Sequence, residues 1–308
     1  MYQPIHPLRS STLPLRRLTY HVNHWGPEQS PLPPLVLLHG WMDVGASYQF
    51  TVDALRQQRR ILAPDWRGFG QTSTPQADHY VFADYLADLD MLLDHYAPGQ
   101  AVDLVGHSMG GNVAMMYGGV RPERVRKLVN LEGFGLPATR PAQAPTRYAQ
   151  WIDEIKQLHQ GTKELKTYDS ADGVARRLMK TDPYLTAERA DFLSRHLARI
   201  GDGTTKGGER RHGIIWNGDP WHKSFSPYLF RLEESMAIWR EVRCPVLWVA
   251  GRQSWIVKDF ATRPGDWETR RACFADIREA WIDQADHMLH HDQPEQLACL
   301  IEAFLEER

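Results

Sequence analysis

The sequence predicts an α/β fold, a mostly parallel sheet covered by helices on both faces. Three observations carry that prediction. Short apolar runs recur at Leu35-Val36-Leu37-Leu38, Ile61-Leu62-Ala63, Leu128-Val129 and Val246-Leu247-Trp248-Val249-Ala250, the pattern of strands buried on both faces. Helix-period stripes lie between them, such as Leu86, Leu89, Leu92 and Leu93. Strands alternating with helices imply parallel pairing through crossover connections. Finally, the stretch from Val102 to Gly118 reads as strand, sharp turn and helix within seventeen residues.

In that stretch, Ala101, Val102, Leu104 and Val105 supply a short strand. Gly106-His107-Ser108-Met109-Gly110 matches G-x-S-x-G, a turn that lifts a serine hydroxyl above a sheet. Glycines two before and two after the serine make steric sense, because larger side chains would strike the neighbouring strand and helix. Gly111 removes one more side chain at the same crossing. The helix that follows aims its free N–H groups at whatever sits over Ser108.

The 308 residues allow one large domain or a core with an insertion, and 42% apolar content is ample for a core. Thirty-six basic residues against 38 acidic ones leave a net charge of −2. Such a balance gives no footprint for nucleic acid or an anionic membrane. The expected partner is a small molecule, and the expected assembly a monomer or homodimer. Cys244, Cys273 and Cys299 are widely spaced and odd in number, which suggests reduced thiols rather than disulfides or a metal site. The first nine residues lack the apolar centre of a signal peptide, and no stretch approaches a membrane span. The cytoplasm is therefore the expected location.

Taken in order, Leu15 to Trp25 alternates loosely and predicts one or two antiparallel strands at a sheet edge. Leu35–Leu38 is a buried strand ending in His39-Gly40-Trp41-Met42, and a loop at the carboxyl end of a central strand is where open α/β sheets place ligands. Ala46 to Leu55 reads as a helix. Arg60 to Pro64 is a second buried strand, leading into Asp65-Trp66-Arg67-Gly68-Phe69-Gly70. Asp65 and Arg67 read as a buried ion pair in a glycine-shaped turn rather than as catalytic groups. Phe82 to Tyr96 is a helix, and Arg126 to Leu131 a strand ending in Glu132-Gly133.

The alternation breaks from Pro137 to about Glu234, where helical stretches follow one another without buried strands. Arg147 to His159 is one. Thr186 caps another, with Phe192, Leu193, His196, Leu197 and Ile200 on one face. Asp202 to Gly208 reads as a glycine-rich loop. Trp216, Trp221, Phe225 and Tyr228 crowd the segment after it, either lining an apolar pocket or filling the insertion's own core. Strands resume at Val246–Gly251 and around Arg278–Ile282, and Pro294 opens a final helix with Leu297, Leu300, Ile301, Phe304 and Leu305 on one face.

A serine hydroxyl is a poor nucleophile at neutral pH and needs a base, an orienter for that base, and donors for an oxyanion. His287, in the loop after the last strand, is the candidate base, with His290 and His291 expected at the surface. The backbone N–H groups of Met109 and Trp41 are the candidate oxyanion donors, one following the serine and the other following the earlier strand. His107, beside the serine, is expected to contact substrate together with Trp216, Trp221 and Tyr228.

His39-Gly40-Trp41, Asp65 to Gly70, Gly106 to Gly110 and Asp286-His287 before a Pro-led helix together resemble the α/β-hydrolase superfamily over nearly the whole length. The resemblance implies an eight-stranded core from residues 1–136 and 235–308, with residues 137–234 as an inserted helical cap. It also implies a carboxylate three residues after Gly251, but Ser254 stands there. A minority arrangement, found in some haloalkane dehalogenases, puts the acid at the end of the strand after the nucleophile. Here that position is Glu132, the preferred third member, with Asp259 as the alternative and Asp283 and Asp286 as turn residues.

Serine, rather than aspartate, at position 108 points to carbonyl chemistry through an acyl-Ser108 intermediate that needs neither metal nor organic cofactor. The expected substrate is a small or medium, largely apolar carboxylic ester, thioester or lactone. A carbon–carbon hydrolase acting on a diketone, and a non-catalytic ligand-binding homologue, are the alternatives.

Overall fold

The computed structural model describes residues 2–76, 78–205 and 207–307. Six strands precede the middle of the chain: β1 (Arg9–Leu15), β2 (Leu18–Trp25), β3 (Leu35–Leu38), β4 (Ile61–Pro64), β5 (Val102–His107) and β6 (Val125–Leu131). Three short strands follow, β7 (Thr167–Tyr168), β8 (Ala198–Thr204) and β9 (Arg210–Trp216), and then β10 (Val246–Gly251) and β11 (Ile277–Ile282). The main sheet has eight strands in the order β1-β2-β4-β3-β5-β6-β10-β11. The hairpin β1–β2 and the β2–β4 pair are antiparallel, and every other pair is parallel. The antiparallel edge lies where the loose alternation around Leu15–Trp25 puts it.

Every residue of β3, β4, β5 and β10 is buried, which accounts for the apolar runs of β3, β4 and β10, while in β5 the buried Asp103 is paired with Arg59 and Arg126. One face is covered by α2 (Phe82–Tyr96) and α3 (Met109–Val120), through Leu89, Leu92, Leu93, Val113 and Tyr117. The other is covered by α1 (Gln49–Ala54) and the C-terminal helix Pro294–Glu306, through Val52, Leu297, Ile301 and Phe304. The chain reverses its order of travel between β3 and β5: β4 lies on one side of β3 and β5 on the other. Such a switch point opens a crevice at the strands' carboxyl ends.

Between β6 and β10 the chain forms α4 (Ala144–His159), α5 (Ala171–Thr181), α6 (Ala187–Leu197) and α7 (Leu232–Trp239). Thr186 caps α6 by accepting a hydrogen bond from the Arg189 amide. This region is not purely helical, however. It also holds an antiparallel sheet in the order β7-β9-β8. Ile200, expected on the α6 face, sits in β8 and is 69% exposed. The expected Asp202–Gly208 loop begins inside that strand, and Lys206 within it lies outside the described residues. The strands escape an apolar reading because their backbones pair while most of their side chains stay wet: Arg199, Asp202, Arg210 and Arg211 are exposed, and Gly201 faces Gly213.

The inserted segment returns to the sheet top. Trp216 Nε1 donates to the Met42 carbonyl at 2.9 Å, and the Gly70 amide donates to Asn217 O at 3.1 Å. After β10 come α8 (Trp255–Ala261) and α9 (Asp266–Arg271); after β11 come α10 (Leu289–Asp292) and α11 (Pro294–Glu306). Among the described residues no helix is long and apolar enough to cross a membrane.

Candidate active site

Ser108 occupies the single residue between β5 and α3. Its backbone is at φ 50°, ψ −111°, a conformation few non-glycine residues adopt. Strain of this kind costs about 1–3 kcal/mol and persists only where its surroundings enforce it. Here they do: the Ser108 amide donates to Leu131 O of β6 at 2.8 Å, and its carbonyl accepts from the Asn112 amide of α3 at 2.9 Å. A Cβ on Gly110 would press into the Leu38 and His39 carbonyls, and one on Gly106 into the Gly110 backbone. The spaced glycines are what let strand and helix cross closely enough to expose the serine.

The β3 exit runs directly past this turn. A Cβ on Gly40 would stand 3.3 Å from Ser108 Cβ and 2.8 Å from His107 Nδ1. His39, fully buried, is held below the usual histidine range by burial. Its Nε2 accepts the Trp66 amide at 2.8 Å, so Nδ1 carries the proton and donates to the Gly40 carbonyl at 2.8 Å. The backbone entering Trp41 is thereby fixed. The Trp41 indole reaches across to the inserted segment, donating to His222 O at 3.3 Å.

Glu132 follows the last residue of β6 and also has a positive φ, 61°. Its side chain is fully buried. Oε2 lies 2.6 Å from His287 Nδ1 and accepts the Ser254 hydroxyl at 2.6 Å, while Oε1 accepts the Gly251 amide at 2.8 Å. Three donors thus surround one carboxylate and fix its orientation towards His287. Ser254, where the resemblance implies a carboxylate, instead donates to the Glu132 carboxylate at the end of the neighbouring strand. Asp259 turns away into α8 and pairs with Arg263 at 2.6 Å. Asp283 pairs with Arg252, and Asp286 Oδ1 accepts the His287 amide at 2.7 Å, the work of turn residues.

His287 lies in the turn after β11. The Trp255 ring stands 5.3 Å from its imidazole. His107, expected to contact substrate, is instead buried beneath it. Nε2 of His107 lies 2.8 Å from the His287 carbonyl, and burial pushes the His107 pKa well below the usual range. A neutral ring facing a carbonyl donates to it, so His107 braces the backbone that carries His287. The expectation that His290 and His291 lie at the surface fails: both are buried on α10, His290 with its ring tilted against those of His107 and Tyr48 and His291 edge-on to Phe50. Asp65 and Arg67 are buried as expected but not paired together. Asp65 contacts His21 at 2.9 Å and Arg67 grips Asp88 at 2.7 and 2.8 Å, because Gly70 brings the chain tightly around Asp65.

The aromatic residues of the inserted segment separate. Trp216 packs against the cluster of Val44, Phe50 and Leu193. Trp221 lines a cleft of about 400 Å³ with Thr74, Asp78, Arg199 and Asp219, whose walls include none of Ser108, Glu132 and His287. Tyr228 is 60% exposed. Trp255, beside His287, has a better claim to contact a substrate. Its sequence signal was its place directly after Ser254.

Comparison with known proteins agrees with this fold. The family described as alpha/beta hydrolase fold matches residues 33–294. A serine hydrolase-like protein of Danio rerio is 26% identical over 294 residues, covering 92% of this chain and 83% of that protein. A 2-hydroxy-6-oxo-2,4-heptadienoate hydrolase of Pseudomonas putida is 36% identical over 106 residues, 33% of this chain and 38% of that protein. Among solved structures, the thioesterase domain from the curacin biosynthetic pathway superposes with a TM-score of 0.80 at 22% identity, covering 96% of this chain and 99% of that one. The match over residues 33–294 and the eight-stranded sheet lead to one conclusion: the chain belongs to the alpha/beta hydrolase fold family.

Proposed function

We propose that this protein is a serine-dependent hydrolase of a small or medium, largely apolar carboxylic ester, thioester or lactone, acting through an acyl-Ser108 intermediate. The observation that carries this reading is the contact between Glu132 and His287 Nδ1, two chain-distant groups, at the sheet end where Ser108 is lifted out. In the proposed reaction His287 Nε2 takes the Ser108 proton as Oγ attacks the carbonyl carbon. The imidazolium so formed is stabilised by the Glu132 carboxylate. The amides of Trp41 and Met109 hold the developing oxyanion, each worth roughly 2.7–4 kcal/mol in such sites. The leaving group takes the proton from His287, and a water activated by the same ring then releases the acid and frees Ser108. Residues 137–234 act as a cap that keeps the acyl group away from bulk water.

A series of p-nitrophenyl esters from acetate to laurate, run beside Ser108→Ala, tests the proposal. Turnover that peaks at one chain length and vanishes in the variant supports it. A folded protein inactive on every ester sinks it. A second reading, carbon–carbon bond hydrolysis of a diketone-type substrate, is favoured by the Pseudomonas putida relative over a third of the chain. Cleavage of a vinylogous diketone without ester turnover would select it. A ligand-binding homologue without turnover would leave Ser108 unlabelled by a fluorophosphonate.

A further inference from the structure

Beneath the loop that carries His287 lies a polar cluster for which the proposed reaction has no use. Asp43 follows the β3 exit, and His290 and His291 are consecutive on α10. All three are buried, and one nitrogen or oxygen from each lies within 4.8 Å of the others. Asp43 Oδ2 accepts the Ser47 hydroxyl at 2.9 Å and makes a long 3.3 Å contact with His290 Nε2. Each residue still keeps one buried polar atom without a protein partner: Asp43 Oδ1, His290 Nδ1 and His291 Nε2. Nearly all buried polar atoms in proteins are satisfied, so three unsatisfied ones in neighbouring side chains point to a ligand with positive charge and room for several donors' lone pairs.

We propose that Asp43, His290 and His291 form a binding site for a divalent transition-metal ion of the zinc type. Two imidazoles and one carboxylate suit Zn²⁺, Co²⁺ or Ni²⁺, whereas Mg²⁺ and Ca²⁺ want oxygen ligands almost throughout. Zinc bonds of about 2.0–2.2 Å would set neighbouring ligand atoms roughly 3.4 Å apart. The cluster therefore closes by at most about 1.5 Å from its present spread. The His290 and His291 rings already stand 4.0 Å apart. A metal at this place takes no part in bond cleavage. It staples the loop bearing His287 to the loop that continues from Trp41, tying the base to the oxyanion side of the site.

Calorimetric titration of the full chain with Zn²⁺, after dialysis against a chelator, tests the site, with Co²⁺ absorption as a second readout. The expected result is one ion per chain and a visible Co²⁺ band. Both should persist in His287→Ala, which removes the imidazole in contact with Glu132. His291→Gln and Asp43→Asn should each weaken binding at least ~100-fold, since each deletes one of three protein ligands. Circular dichroism checks that the variants fold; if Asp43→Asn does not, His291→Gln alone carries the comparison. No saturable binding by the wild-type chain overturns the proposal, as does undiminished binding in His291→Gln. Loss of binding in His287→Ala with retention in His291→Gln overturns it too, by moving the ion to the catalytic histidine.

Discussion

Replacing Glu132 by Gln changes one atom and no volume, yet the surroundings dictate which way the new amide turns. The Gly251 N–H points at the Oε1 position and can only donate, so the amide oxygen must sit there. The NH₂ group then occupies the Oε2 position, 2.6 Å from His287 Nδ1. Ser254 can adapt by rotating its hydroxyl to accept. His287 cannot adapt without cost: Nδ1 must become the acceptor, which places the ring proton on Nε2. A protonated, neutral Nε2 has no lone pair for the Ser108 proton. In the serine-triad prototype the equivalent acid-to-amide change lowers kcat by about 10⁴. Allowing for relaxation, Glu132→Gln should cost about 10³–10⁴ in kcat, or about 4–5.5 kcal/mol at the transition state. Steady-state turnover of the best p-nitrophenyl ester gives kcat, and a thermal melt checks that the fold is kept. Turnover within about tenfold of wild type in a folded variant would refute the tautomer argument. Adding Ser254→Asp to Glu132→Gln should restore part of the loss, because position 254 already reaches the same carboxylate oxygen as His287.

Other predictions follow from neighbouring groups. Ser254→Ala removes one of three donors to Glu132 and the side-chain cap of the Ile256 amide, so kcat should fall by about tenfold while Tm drops a few degrees; an unchanged pH–rate profile and kcat would deny the serine its positioning part. Asp292 is pushed up to about 9, chiefly by burial and then by the neighbouring Asp182 carboxyl. Its native proton is held far above the unfolded carboxyl range, so the stability it contributes is full near pH 4 and is lost as pH rises towards 9. Asp292→Asn should therefore flatten the fall in Tm over that window, and an unaltered slope would contradict the assignment. Gly110→Ala should cost at least about 2 kcal/mol in stability, read as lower Tm or loss of soluble protein, because its Cβ meets the Leu38 carbonyl.

What was legible in the sequence follows a physical divide. Where burial and backbone geometry act locally, residue type reports them. Leu35–Leu38 and Val246–Gly251 are buried on both faces and read as such, and the Phe82–Tyr96 stripe covers the helix observed. Glycines around Ser108 reveal a crossing too tight for a Cβ. Glu132 was reachable because Ser254 stood where a carboxylate was expected, and the strand end beside it offered one. What stayed hidden depends on partners distant in sequence. The β8–β9 hairpin draws its stability from backbone pairing, so its wet, glycine-rich strands look like loop. His290 and His291 look like surface until α10 folds them onto Asp43 and His107. The bracing part of His107 rests on a carbonyl 180 residues away. Trp216 and Tyr228 carry the same apolar signal, yet one packs and the other faces solvent.

The central claim is that Ser108 is an activated nucleophile, and its most direct test is covalent labelling by a fluorophosphonate, followed by intact mass. One adduct per chain, absent in Ser108→Ala and formed much more slowly in Glu132→Gln, is the predicted result. No adduct on the folded wild-type chain, or an adduct that persists in Ser108→Ala, would contradict it.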